Sequence, residues 1–111
     1  MAISTETKMI AVDSLQVIAE PRRRQILSLV WDRELSAGEI ADRFDVTFGA
    51  VSQHLAVLRE AGFVRVRADG NRRWYRADKD RLGPFREVLE SMWAQTLDRL
   101  VTAIESEAGT K

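Results

Sequence analysis

Six residues within positions 47–54, namely Thr47, Phe48, Gly49, Ser52, Gln53 and His54, are small, aromatic or neutral and hydrogen-bonding. Gln carries a paired donor and acceptor, Ser a hydroxyl that serves as either, and an apolar group can touch a methyl. Those groups match adenine, several base edges and the thymine methyl in a DNA major groove, and glycine lets a backbone approach a groove wall closely. Further along, Arg65, Arg67, Arg72, Arg73 and Arg76 surround Asp69-Gly70-Asn71, with Asp69 as the only acid among them. Guanidinium groups at that density suit phosphate backbone or a narrow minor groove. One set of side chains would read bases, the other would grip the strand.

Both sets need a frame. Ser36 followed by Glu39 is a capping-box pattern that starts a first short helix, with Ile40, Ala41 and Phe44 on one face. Asp45-Val46 makes a turn, and Thr47 can cap a second helix by accepting a backbone N–H. In that second helix Val51, Leu55 and Leu58 recur at i, i+4 and i+7 and must face a core. Gly49, Ser52, Gln53 and Ala56 are then left outside. A merely solvated face would more often carry Glu, Lys and Arg. Gly62 stops the helix, and 36–61 is therefore predicted as a helix-turn-helix whose second helix enters the major groove.

Val64 and Val66 alternate with Arg65 and Arg67, which is a half-buried strand. The Asp69-Gly70-Asn71 turn returns the chain through a second strand, so 63–77 is predicted as an arginine-rich hairpin, the wing of a winged helix. Upstream, Ile10, Leu15 and Ile18 have roughly helical spacing and place a helix over 9–19, with Asp13 an alternative N-cap. Pro21 suits the first turn of the next helix, whose buried face is Ile26, Leu27, Val30 and Trp31. Arg22, Arg23 and Arg24 stand at the wrong end of that helix for its dipole. A carboxylate such as Glu20 or Glu34, or else a phosphate, must answer them, with the salt bridge preferred.

A long amphipathic helix follows from near Pro84 to 107. Its stripe of Phe85, Val88, Leu89, Met92, Trp93, Leu97, Leu100, Val101 and Ile104 is wider than so small a domain can cover. Two copies packed together would cover it, with help from the first helix, so Ile10, Leu15, Phe85, Leu89, Met92, Trp93, Leu97 and Leu100 are the candidate dimer contacts. The expected architecture is mainly α with one β-hairpin. It is a winged helix-turn-helix of about five helices and a two-stranded wing, in one domain spanning 1–111.

Composition narrows the function. The 111 residues have net charge zero, yet residues 21–76 hold eleven arginines against seven acids, a net +4, and both flanks are acidic. The positive field therefore lies where the helix-turn-helix lies. No cysteine is present, which removes disulfides, thiolate metal sites and thiol nucleophiles. A single histidine, no nucleophile–base pair and no phosphate-cradling glycine loop argue against an enzyme. No apolar run reaches membrane-spanning length and no signal pattern opens the chain, so a cytoplasmic protein without membrane contact is expected.

With these motifs in hand, PRRRQIL, GEIADRF and VSQHLAVLREAGFVRVRADGNRRWYRAD together resemble the ArsR/SmtB family of bacterial winged-helix repressors. The resemblance implies a homodimer that addresses an inverted-repeat DNA operator and represses its own or adjacent genes. The metal-sensing half of the family pattern does not carry over, so no metal site and no cofactor are expected here. The family's metal sensors place cysteines on the helix aligned with Ile40 to Phe44, or histidines and carboxylates on the terminal helix. On that helix Glu87, Glu90, Asp98 and Glu105 occur without a histidine, a hard-oxygen set unsuited to selective zinc binding. His54 matches the histidine of the family's S-x-H-L motif, which implies a structural or DNA-backbone role. Two other readings stay open. One is a small-molecule inducer of unknown identity, bound where Trp31, Trp74 and Trp93 could line a pocket. The other is a winged protein-interaction module without DNA binding.

Overall fold

Three arginines and a proline shape the start of the molecule, as a computed structural model that describes residues 14–109 makes clear. Residues 14–19 are helical (α1), and Pro21 opens α2 (Pro21–Leu29), where a missing N–H costs nothing. The expected carboxylate partners of the arginine run are elsewhere. The Glu20 side chain is the N-cap of α2, accepting the Arg22 backbone N–H at 3.2 Å, and Glu34 holds Arg67. Arg23 instead donates to the carbonyls of Val17 (2.6 Å) and Gln16 (3.1 Å), and Arg24 to those of Ile18 and Ala19, both at 2.8 Å. The run caps the C-terminal end of α1, where carbonyls lack partners and the dipole is negative. Arg22 lies over the Phe44 ring at 4.9 Å.

Strand β1 (Leu35–Ser36) leads directly into α3 (Ala37–Ala41), and Thr47 caps α4 (Phe48–Glu60). Strands β2 (Val64–Asp69) and β3 (Arg72–Ala77) follow, then the single turn of α5 (Lys79–Leu82) and the long α6 (Pro84–Gly109). The strands form one antiparallel sheet in the order β1-β3-β2. Two elements differ from expectation. The wing gains a third strand because Leu35 and Ser36 pair with Tyr75 and Trp74, a two-residue strand too short to leave a periodicity. Among the described residues six helices replace about five, because Asp78 accepts the Arg81 backbone N–H at 3.2 Å and nucleates α5.

The chain divides between Arg81 and Leu82 into two compact units. In the first, Ile26, Leu27, Val30, Ile40, Val51 and Leu58 are fully buried and form the core. Val51 and Leu58 carry the inward stripe expected of α4, with Leu55 at 2% exposure between them. Burying each such side chain contributes roughly 1.5–3 kcal/mol. That burial is what holds α4 still while its other face stays open. Trp31 is buried, with the Lys79 ammonium 5.3 Å from its ring centre, and Trp74 is half-buried under Arg67.

In the second unit, α6 runs for 26 residues. Leu82 and Leu89 are buried, so Leu89 is withdrawn from the dimer contacts: a side chain already covered within one chain has nothing left to cover. Phe85 and Trp93 are half-buried, whereas Met92, Leu97, Leu100, Val101 and Ile104 are exposed, as is Leu15 on α1. Ile10 lies outside the described residues. Among those residues no helix is long and apolar enough to cross a membrane.

Candidate DNA interface

Two caps set the helix-turn-helix. The Ser36 hydroxyl accepts the Glu39 backbone N–H at 3.2 Å, and the Glu39 carboxylate accepts the Ser36 backbone N–H at 3.1 Å. This box ties the start of α3 to the end of β1 and so to the sheet. The Ser36 bonds, backbone first and hydroxyl next, lower the Glu39 pKa below its ordinary 4.5, and the charges of Arg72 and Arg43 add to the effect. At α4 the Thr47 hydroxyl accepts the Ala50 backbone N–H at 3.1 Å. Thr47 is thus an N-cap whose O–H proton is still free to donate.

Beyond that cap, Phe48, Gly49, Ser52 and Gln53 are exposed, opposite the buried Val51 and Leu55. Ser52 and Gln53 have no hydrogen-bond partner among the described residues, so their donors and acceptors face outward. His54 is half-buried, and its Nδ1 lies 3.4 Å from Arg23 Nη1. Arginine can only donate, so Nδ1 accepts, which assigns the ring proton to Nε2. Arg23 therefore joins the capped end of α1 to the recognition helix.

The wing tip is a two-residue loop, Gly70-Asn71, between Asp69 and Arg72. Gly70 has φ +62° while Asn71, like every described non-glycine residue, does not have positive φ, the pattern of a type II′ turn that suits the strand twist. Asn71, Arg72 and Arg73 are exposed at this tip. They form one wall of an open groove whose other wall is Phe48 and the start of α3, from Ser36 to Glu39 with Asp42. Of the residues expected on the recognition helix, Phe48 lines this depression together with the wing tip, while Ser52 and Gln53 lie outside it.

Arg67 has a different place. Glu34 accepts from its Nε at 3.0 Å and its Nη2 at 3.2 Å, and Asp69 lies 3.8 Å away. The hydrogen bond from Arg67 lowers the Glu34 pKa and raises that of Arg67. Arg67 braces the wing against the segment before β1 rather than standing free at the tip. Arg65 and Arg76 face each other across the strands, a like-charge pair that Asp78 relieves at 3.8 Å from Arg65. Glu34 and Arg23 are named by the sequence, but their partners, Arg67 and His54, are what sequence reasoning missed. The Glu34–Arg67 pairing spans 33 residues and the Arg23–His54 contact 31, and no local pattern announces either.

Among the described residues, no group of three His, Asp or Glu side chains is placed to hold a metal ion.

A profile of the bacterial regulatory protein arsR family matches residues 20–66, from the start of α2 into the first half of β2. The transcriptional activator HlyU of Vibrio cholerae is 36% identical over 85 residues, 77% of this chain and 79% of that protein. The solved structure of reduced HlyU superposes with a TM-score of 0.69, covering 84% of this chain and 98% of that one at 32% identity. The HTH-type transcriptional regulator Rv2034 of Mycobacterium tuberculosis is 37% identical over 92 residues, 83% of this chain and 86% of that protein. The biofilm growth-associated repressor of Agrobacterium fabrum is 30% identical over 86 residues, 78% of this chain and 74% of that protein. The winged helix-turn-helix, its outward Ser52-Gln53 face and these likenesses agree: the chain belongs to the ArsR family of DNA-binding transcriptional regulators.

Proposed function

We propose that the chain acts as a homodimer on an inverted-repeat operator and represses its own or an adjacent gene. The observation that carries this reading is the groove shared by Phe48 of the recognition helix and Asn71, Arg72 and Arg73 of the wing. A duplex seated there offers base edges to Ser52 and Gln53 and phosphates to the arginines. Dimerisation supplies the second copy of that surface, and Leu97, Leu100, Val101 and Ile104, each 43–59% exposed on one side of α6, supply the adhesive. Two-fold symmetry of the protein then selects two-fold symmetry in the DNA.

The direction of regulation belongs to the operator's position relative to the promoter, and the named relatives include both an activator and a repressor. The test is a shift assay with the duplex upstream of the protein's own gene, beside a reporter driven by that duplex. Binding with reporter output reduced by the wild type and restored by Gln53→Ala is the expected result. Increased output would make the protein an activator. No preference for that duplex over random DNA would remove self-regulation.

A further inference from the structure

Phe48 and Gly49 are not explained by the fold. Phe48, the first residue of α4, is 57% exposed, an unusual position for the most apolar side chain on a face otherwise polar or small. Gly49, the next residue, does not have a positive φ, and a Cβ built on it would meet nothing closer than the Thr47 hydroxyl at 3.9 Å. Glycine is a poor helix former, so neither backbone conformation nor packing in this chain favours it over alanine. Both residues make sense against something outside the chain. Gly49 removes the side chain that would hold the helix away, and Phe48 brings a ring to the surface that approaches.

On that surface Phe48 has few matches. It has no donor or acceptor, so it cannot read the hydrogen-bonding pattern of a base pair. The one apolar group on the major-groove edges is the thymine C5 methyl. Phe48 also forms the wall of the groove opposite Asn71, Arg72 and Arg73. A strand passing from the recognition helix to the wing crosses this groove, so its bases leave the major-groove side beside the ring. We infer that Phe48 is a specificity residue that reads a thymine methyl in each half-site, with Gly49 providing the close approach. This deepens the DNA-binding reading above and rests on it.

The experiment is selection of bound sites from a random duplex pool by the wild type. The selected duplex is then resynthesised with deoxyuracil replacing each thymine in turn, which removes only the methyl. One thymine per half-site is expected to lose about four-fold in affinity on replacement, the value of one buried methyl-sized group at roughly 0.8 kcal/mol. Phe48→Ala should bind the thymine and uracil duplexes equally, with the wild-type circular dichroism. Gly49→Ala should weaken binding to the selected site. A selected site with no uracil-sensitive thymine, or a Phe48→Ala variant that still distinguishes the two duplexes, would overturn the inference and leave the DNA-binding reading intact. Failure of the wild type to enrich any sequence would overturn both.

Discussion

Gln53 and Ser52 project from the side of α4 opposite Val51 and Leu55, with their hydrogen-bonding groups unspent within the described residues. Gln53→Ala is expected to weaken binding to a specific site by roughly 1–3 kcal/mol while leaving random-duplex affinity nearly unchanged. Competition titrations against both duplexes check this, and equal losses would assign Gln53 to backbone. His54 works differently. Its Nδ1 answers Arg23, so an Nε2–H is what it offers outward. Glutamine places an amide N–H near that Nε2, and His54→Gln should preserve more DNA affinity than His54→Ala. This histidine also decides the expectation for metals. With no cysteine and the one histidine facing an arginine, zinc titrated calorimetrically should find no site tighter than micromolar, on the order of −8 kcal/mol. A stoichiometric tight site that also lowered DNA affinity would contradict it.

The elements around these residues behave as separable devices. The wing tip should contribute affinity without sequence preference. Arg72→Ala is expected to weaken binding to all duplexes and to lower the slope of log affinity against log salt by about one per lost phosphate contact. An unchanged slope would place Arg72 away from the DNA. The wing's base depends on the Glu34–Arg67 pair, and α3 on the Ser36–Glu39 box. Both carboxylates have folded pKa values lowered from 4.5, so their contribution is present above that value and is lost as pH falls through the lowered folded pKa. The melting temperature gap between wild type and Glu34→Gln should therefore close in acid; a gap that widened there would reverse the sign. Much of this level was legible from sequence. Ser36, Thr47, Gly62 and the Asp69-Gly70-Asn71 turn each announce their role through local chemistry, and period-3.6 spacing placed Val51, Leu55 and Leu58 inside. What was not legible required long-range geometry. Leu35 and Ser36 become a strand only because β3 lies beside them, and the arginines of α2 oppose their own helix dipole because the dipole they answer belongs to α1.

At the scale of the whole molecule the proposed operator binding needs a second copy. The exposed leucines of α6 recur at Leu97, Leu100 and Ile104-like spacing along one side, and no charge interrupts them there. Because Leu97 and Leu100 are 59% and 57% exposed in the single chain, Leu97→Glu with Leu100→Glu should leave the fold of one protomer intact. The same change should abolish self-association, and wild-type stability, but not the variant's, should depend on protein concentration. A recognition helix and wing presented once supply half the contacts and cannot set half-site spacing. The most direct test is sedimentation velocity of the wild type and this double variant at micromolar concentration, each with a labelled duplex carrying the selected site. The expected result is two wild-type chains per duplex and no stable complex with the variant. A complex of one chain per duplex, bound as tightly by the variant as by the wild type, would contradict the account.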